Sequence, residues 1–316
     1  MNVLANDGIS QSGIDALQAN GFNVITTNVA QEQLINFINE NDIVVLLVRS
    51  ATTARKDLID ACPGLKIIGR GGVGMDNIDV DYAREKGLHV INTPAASSAS
   101  VAELVFAHLY GGVRFLHDSN RNMPLEGESN FKGLKKSYAK GTELSGKTLG
   151  VIGFGRIGQA TARIGLGIGM KVIAADKFLD KATINVPFFN GQSVDIELQT
   201  QSMESVLEEA DFITLHVPAQ KDYVIGSAEL AKMKEGAALV NAARGGVVDE
   251  VALLKVLDSG QLSFAGLDTF EEEPKPAVQV LMHPKVSLTP HIGAATSQAQ
   301  DRIGVELAEQ ISAILG

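Results

Sequence analysis

The stretch from Thr148 to Asp176, TLGVIGFGRIGQATARIGLGIGMKVIAAD, constrains the fold of this chain more tightly than any other. It opens on an apolar run, Leu149-Gly150-Val151-Ile152, of the kind a buried parallel strand shows. Gly153-x-Gly155-x-x-Gly158 follows at once, and Ile157, Ala160, Thr161, Ile164 and Ile168 then recur at helical spacing up to Gly169. Lys171 to Ala175 reads as a second strand, with Asp176 at its end. Gly153 allows a tight turn, Gly155 a close backbone approach to a pyrophosphate, and Gly158 close helix–strand packing. The helix N-terminus offers unpaired N–H groups and a positive dipole end to an anion. An acid about 20 residues on is placed to accept from ribose hydroxyls. Gly-rich turns are common, so the triplet alone says little. Strand, turn, helix, strand and acid in this order predict a dinucleotide site, with Gly153, Gly155, Arg156, Ile157 and Gly158 at the diphosphate and Asp176 at the adenine ribose. The same carboxylate would repel a 2′-phosphate, which predicts NAD over NADP, although the neighbouring Lys177 softens that repulsion.

The rest of the chain repeats the alternation. Strands are predicted at Val3–Ala5, Phe22–Thr26, Ile43–Val48, Lys66–Gly69 and His89–Ile91, with helices between them. A long helix spans Ser100 to about Leu116, with Ser97 or Ser98 near its cap, and Met123 to Gly141 reads as a polar, mobile stretch. After Asp176 come a helix at Met203–Glu209, a strand at Phe212–Val217, a helix at Ser227–Met233 and a strand at Ala238–Val240. A helix at Glu250–Asp258 and strands at Ser263–Leu267 and Val286–Thr289 follow, then a final amphipathic helix from about Thr296 to Leu315. This pattern predicts an α/β fold of two Rossmann-like, doubly wound parallel-sheet domains with a cleft between them. Residues 1–97 and 293–316 would form one, flavodoxin-like, and residues 98–292 the dinucleotide domain. A length of 316 residues accommodates two cores.

Composition narrows the function. A formal net charge of −10 argues against nucleic acid or an anionic membrane as partner. No apolar run approaches the roughly 18 residues of a membrane span, and Met1-Asn2 leads straight into a strand. Cys62 is the only cysteine, so no intrachain disulfide forms, and a cytoplasmic setting is expected. Gly141 to Thr148 matches the phosphate-loop pattern GxxxxGK[ST], but Lys147-Thr148 runs into a strand where that loop needs a helix, so it is read as a decoy.

Arg244, Glu273 and His291 lie just past strands or in loops of the dinucleotide half, and ends of one parallel sheet converge on one crevice. Their types suit hydride transfer at an alcohol carbon: a histidine to take the hydroxyl proton, a carboxylate to orient it, an arginine to clamp a carboxylate. Singly, each has a plain structural alternative: a buried structural histidine, an exposed member of an acidic run, a helix-cap partner. His108 and His117 read as packing or surface residues, and His89, His216 and His283 lack a setting like that of His291. No spacing suggests a metal site. Arg49 ends the strand IVVLLV, and Gly72–Gly74 (GVG) follows the strand ending at Gly69.

GFGRIG with Asp176, NAARGGVVDE, GLDTFEEEP and PHIGAAT resemble the signatures of NAD-dependent D-2-hydroxyacid dehydrogenases, over essentially the whole chain. VRSATTARKDLI, GRGGVGMDNIDV, INTPAASSASVAEL and KGTELSGKTLGVIGFGRIG look most like the phosphoglycerate dehydrogenase branch. The resemblance implies that His291 is the acid/base, Glu273 its partner and Arg244 the substrate arginine. It also implies cofactor contacts at His216, Pro218, Ala242, Arg244, Asp268, His291 and Gly293, with Asp268 at the nicotinamide amide. The substrate would meet Arg49, Gly72, Val73 and Gly74 besides Arg244 and His291. Some relatives carry a second arginine at the position of Ala51, and Lys132, Lys135, Lys136 and Lys140 form an alternative phosphate cluster or a solvated face. Larger relatives append a serine-binding domain, for which this sequence has no residues after the final helix. The implied reaction is oxidation of D-3-phosphoglycerate by NAD, the first step of L-serine biosynthesis, in a homodimer or homotetramer. Reduction of glyoxylate or hydroxypyruvate, or an NAD-sensing corepressor role, are the alternatives.

Overall fold

A computed structural model describes all of residues 1–316. The chain forms two compact units, Met1–Ser98 with Ala294–Gly316, and Ala99–Gly293. The first contains β1 (Asn2–Ala5), α1 (Gln11–Ala19), β2 (Asn23–Ile25), α2 (Gln31–Glu40), β3 (Ile43–Val48), α3 (Lys56–Ala61), β4 (Ile67–Arg70), α4 (Val80–Glu85) and β5 (His89–Asn92). Its sheet is wholly parallel, in the order β2-β1-β3-β4-β5. That is the 2-1-3-4-5 order of flavodoxin-like sheets. Successive residues of β3 enter opposite cores: Leu46 and Val48 pack with Leu34 and Ile38 on one face, Val45 and Leu47 with Val3 and Ile67 on the other. A strand covered on both faces must be apolar throughout, which is why IVVLLV shows no alternation.

The second unit runs α5 (Ser98–Val113), α6 (Leu116–Glu126), α7 (Phe131–Ser137), β6 (Thr148–Ile152), α8 (Arg156–Gly167), β7 (Lys171–Ala175), β8 (Lys181–Pro187), β9 (Ser193–Gln199), α9 (Met203–Glu209) and β10 (Phe212–Leu215). It continues with α10 (Ser227–Lys232), β11 (Ala237–Asn241), α11 (Glu250–Ser259), β12 (Leu262–Leu267), α12 (Val278–Met282) and β13 (Val286–Leu288). Six parallel strands lie in the order β13-β12-β11-β10-β6-β7. A last helix, α13 (Ser297–Leu315), belongs to the first unit, where Ile303, Leu307 and Ile311 join the core beside Val3 and Leu47. No helix is long and apolar enough to cross a membrane.

Several segments depart from the sequence expectation. Residues 123–141 are not an irregular stretch but mostly helix, in α6 and α7. Buried Leu134, the tilted Phe115–Tyr138 ring pair at 5.9 Å, and the Tyr138 hydroxyl bonded to Asp118 and Asn122 hold them. Phe115, left-handed at φ 54°, ends α5 at Val113, short of the Leu116 boundary expected. Residues 181–199 form an antiparallel hairpin, β8–β9, for which no element was expected. Its Ile184 and Val186 are buried against the α8 side of the unit. The short helix α12 was likewise not anticipated.

Candidate active site

Register decides where the functional side chains stand. Ala175, Ile152, Leu215, Asn241, Leu267 and Leu288 are paired neighbours in one row across the six strands of the second unit. The residues one step beyond that row are therefore Asp176, Gly153, His216, Ala242, Asp268 and Thr289. All lie at the carboxyl edge, and chain order reverses between β6 and β10, the switch point at which open α/β sheets bind ligands.

The glycine turn fits a dinucleotide's diphosphate. Gly153 has φ 91°, and a Cβ there would lie 2.5 Å from the His216 carbonyl oxygen. A Cβ on Gly158 would lie 2.1 Å from the Gly153 oxygen. Above Gly155, by contrast, the space is open, and as N-cap of α8 it supplies no side chain to the helix N–H groups. The turn is thus packed on its protein side and open where an anion would meet the first turn of α8. Asp176 is fixed by three backbone donors: Phe154 N to Oδ2 (2.6 Å), and Phe178 N and Leu179 N to Oδ1 (2.8 and 3.1 Å). Oδ2 keeps a lone pair for a ribose hydroxyl. The His216 ring is enclosed, with Nε2 3.1 Å from the Thr214 hydroxyl and Nδ1 a buried polar atom without a partner. Burial pushes its pKa down to about 3. Ala242 is buried and Pro218 exposed.

At the other end of the row, His291 Nδ1 is 2.8 Å from Glu273 Oε2. A carboxylate only accepts, so Nδ1 carries the proton and Nε2 presents a lone pair. Glu273 is oriented through its second oxygen, which accepts from Phe270 N at 3.0 Å. Its neighbour Glu271 is engaged elsewhere, in reciprocal backbone bonds with Glu250. His291 is left-handed, φ 54°, a conformation rare for a non-glycine residue. The two residues after it, Ile292 and Gly293, donate their N–H groups to Asp268 Oδ1 and Oδ2, each at 2.8 Å. Arg244 follows β11; Asn241 Nδ2 donates to its carbonyl (2.9 Å), and its Nη1 donates to Ala243 O (2.6 Å). A Cβ on Gly245 would lie 1.7 Å from Phe270 O, so glycine there lets the Arg244 turn press against the turn that carries Glu273. A cavity of about 410 Å³, walled by Phe270, Pro274, Leu281 and Leu288, adjoins the His291–Glu273 pair.

In the first unit, Arg49 directly follows β3 and the Gly71–Gly74 turn follows β4, both at the carboxyl edge of that sheet. Sequence reasoning missed what pins them. Asp7 accepts from Arg49 N (2.6 Å) and from the Thr52 N–H and hydroxyl (3.1 and 2.5 Å). Asn77 Nδ2 donates to Arg49 O and Thr52 O (2.8 and 2.6 Å). Asn92 Nδ2 holds Val73 O at 2.7 Å, and Thr93 N holds Gly72 O at 3.0 Å. Position just past β1 was the one available signal for Asp7. Lys132, Lys135 and Lys136 lie on α7, and all four cluster lysines are exposed. His283 pairs with Asp258 at 3.2 Å. Burial pushes the Cys62 thiol up to about 11, which leaves it protonated and inert at neutral pH.

The profile of the D-isomer specific 2-hydroxyacid dehydrogenase NAD binding domain matches residues 106–293. A hydroxypyruvate reductase of Thermotoga maritima is 42% identical over 93% of this chain and 91% of its own length. A D-3-phosphoglycerate dehydrogenase of Methanocaldococcus jannaschii is 40% identical over 100% of this chain but 57% of its own length. The chain thus spans little more than half of the phosphoglycerate dehydrogenases it matches. The crystal structure of the TT0316 protein from Thermus thermophilus superposes with a TM-score of 0.85 at 30% identity, over 100% of this chain and 97% of that one.

The enclosed His216 makes stability depend on pH. Its folded pKa is depressed below the ordinary 6.5, so its contribution is complete above that value. It is lost as pH falls from about 6.5 toward 3, because the unfolded chain binds a proton the folded one refuses. Each pH unit in that window removes up to about 1.4 kcal/mol. In urea unfolding, His216→Gln should be less pH-sensitive than the parent between pH 6 and 4 by up to one proton; parallel curves would place the ring in solvent.

Proposed function

The chain belongs to the D-isomer specific 2-hydroxyacid dehydrogenase family, and on that premise we propose that it oxidises D-3-phosphoglycerate to 3-phosphooxypyruvate. The observation that carries the chemistry is the His291–Glu273 pair, which leaves Nε2 as a base at the edge of an NAD-binding sheet. In this reading Arg244 grips the substrate carboxylate through its planar fork, aided by the N–H groups of the Gly72–Gly74 turn. Nε2 takes the hydroxyl proton, and Glu273 stabilises the imidazolium that results. NAD, when bound, supplies the hydride acceptor for C2 of the substrate. Gly153, Gly155, Arg156, Ile157 and Gly158 would hold its diphosphate and Asp176 its adenine ribose. Arg49, pinned by Asp7 and Asn77, is assigned to the phosphate on C3. The reading includes a cytoplasmic homodimer or homotetramer.

Reduction of hydroxypyruvate or glyoxylate is the second reading. It is favoured by the near-full-length likeness to the Thermotoga reductase and by Ala51, which leaves Arg49 without a second arginine two places on.

The deciding experiment is an NADH-absorbance assay over a panel of D- and L-2-hydroxy acids and their keto acids. D-3-phosphoglycerate is expected to give the highest kcat/KM, with NAD preferred to NADP. A higher value for D-glycerate, run as hydroxypyruvate reduction, selects the second reading, and NADP preference removes Asp176 from the ribose. Losing a charge-assisted hydrogen bond costs about 1.5–3 kcal/mol, or roughly ten- to a hundredfold. Arg49→Ala should therefore raise KM for phosphoglycerate by that order, with less effect on an unphosphorylated acid. Equal losses on both would show that Arg49 does not hold phosphate.

His291→Asn should lower kcat by about 10²- to 10⁴-fold with NAD affinity retained. In Glu273→Gln the pH–rate profile should move to lower pH, because the lost carboxylate no longer favours the imidazolium. An unmoved profile would mean that the pair does not act in turnover.

A further inference from the structure

His108 is a titratable side chain that the reaction above does not use. It sits in α5 with 2% of its surface exposed, close against β12, where a Cβ on Gly266 would lie 2.7 Å from the His108 Cβ. Both ring nitrogens reach hydroxyls of the last strand and the residue after it: Nδ1 lies 2.9 Å from Ser287 Oγ, and Nε2 3.0 Å from Thr289 Oγ1. Thr289 Oγ1 is in turn 2.6 Å from Asp268 Oδ1.

Counting protons gives this chain a direction. Ionised Asp268 accepts from the backbone N–H groups of Ile292 and Gly293, and it can only accept from Thr289. The single Thr289 proton is thereby committed to Asp268, so Thr289 must accept from His108, and Nε2 bears the hydrogen. Nδ1 is then bare and accepts from Ser287. Burial lowers the pKa of His108, opposed by the charge of Asp268 at the end of β12 and aided by His117 of α6, which keeps the ring neutral. Every donor then has one acceptor, and the run ends on the carboxylate that fixes the two residues after His291.

We infer that His108 is a positioning residue for proton transfer: through Thr289 and Asp268 it holds the Pro290–Gly293 turn that presents His291 to Glu273. This rests on the role assigned to His291. His291 is left-handed at φ 54°, a conformation that persists in a non-glycine residue only where its surroundings impose it. The bonds from Ile292 N and Gly293 N to Asp268 impose it here, and the Thr289 hydroxyl, oriented by His108, braces that carboxylate from behind. A neutral histidine supplies both a donor and an acceptor at this spacing; an apolar side chain supplies neither.

The test uses His108→Leu, His108→Gln, Thr289→Val and the His108→Leu/Thr289→Val double variant, on protein with ¹⁵N-labelled histidine rings. In the parent, His108 should be the Nε2–H tautomer at neutral pH. His108→Leu should lower kcat about tenfold, the scale of one buried polar group left unpaired, with KM for both substrates nearly unchanged. The acid limb of its pH profile, and the ring titration of His291, should move to lower pH as the Glu273 contact loosens. His108→Gln, whose amide can replace Nε2–H, should recover activity to within about threefold of the parent. The double variant should be no worse than the worse single one, since both break one chain. An Nδ1–H tautomer, an unmoved His291 titration, equal impairment of the Gln and Leu variants, or additive losses would each overturn the inference. Were the parent to turn over no 2-hydroxy or 2-keto acid, the proposed function would fall, while tautomer and titration would still decide for or against His108.

Discussion

The candidate site depends on one buried carboxylate. Asp268, 1% exposed, accepts from the Thr289 hydroxyl and from the N–H groups of Ile292 and Gly293. A charge taken out of water is tolerated only when its lone pairs are met by donors, and three are met here at 2.6–2.8 Å. The bonds link the end of β12 to the turn that follows β13, more than 20 residues further along the chain. They also bracket His291, whose backbone would not choose its conformation unaided. The conformation of the turn that carries His291 is thus a consequence of satisfying a buried charge.

The sheet supplies the frame. Because all six strands are parallel and their last residues share one row, a single edge carries Asp176 at one end and Asp268 near the other. Glycines decide how closely backbone approaches that edge: Gly153 and Gly158 pack the turn between β6 and α8, and Gly245 presses the Arg244 turn onto Phe270. Phe270 N in turn holds the free oxygen of Glu273. The Arg244 and Glu273 turns are therefore linked through backbone, and Glu273 and His291 through their side chains, so that a shift in one turn reaches the others.

The elements that could be read from sequence are those with an uninterrupted local signal. IVVLLV and LGVI read as buried strands because both faces are covered, and β3 has the expected boundaries. The β8–β9 hairpin does alternate, Ala182-Ile184-Val186 in one strand and Val194-Ile196-Leu198 in the other, so its period-2 signal was present and went unread; its tip exposes Phe188 and Phe189. In α6 and α7 the helical period was obscured by exposed Leu116, Leu125 and Phe131, where a soluble helix would normally show polar residues. Among side chains, position just past strands or in loops raised His291 and Glu273 as candidates, and only the resemblance to family signatures set Glu273 apart from Glu271 and Glu272. The part His108 plays was invisible, because its partners Ser287 and Thr289 lie 179 and 181 residues away and only the fold brings them together. Asp7 and Asn77 escaped for the same reason: each acts on the Arg49–Thr52 loop from another part of the chain.

The most direct measurement of the central claim is a crystal structure of the Asp268→Asn variant beside the parent. An amide of the same shape can accept at only one atom, so one of the Ile292 and Gly293 N–H groups must face an NH₂. The account requires the 290–293 turn to relax, with His291 leaving the left-handed region and its Nδ1 parting from Glu273. A variant that keeps His291 near φ 54° and the 2.8 Å contact would contradict it.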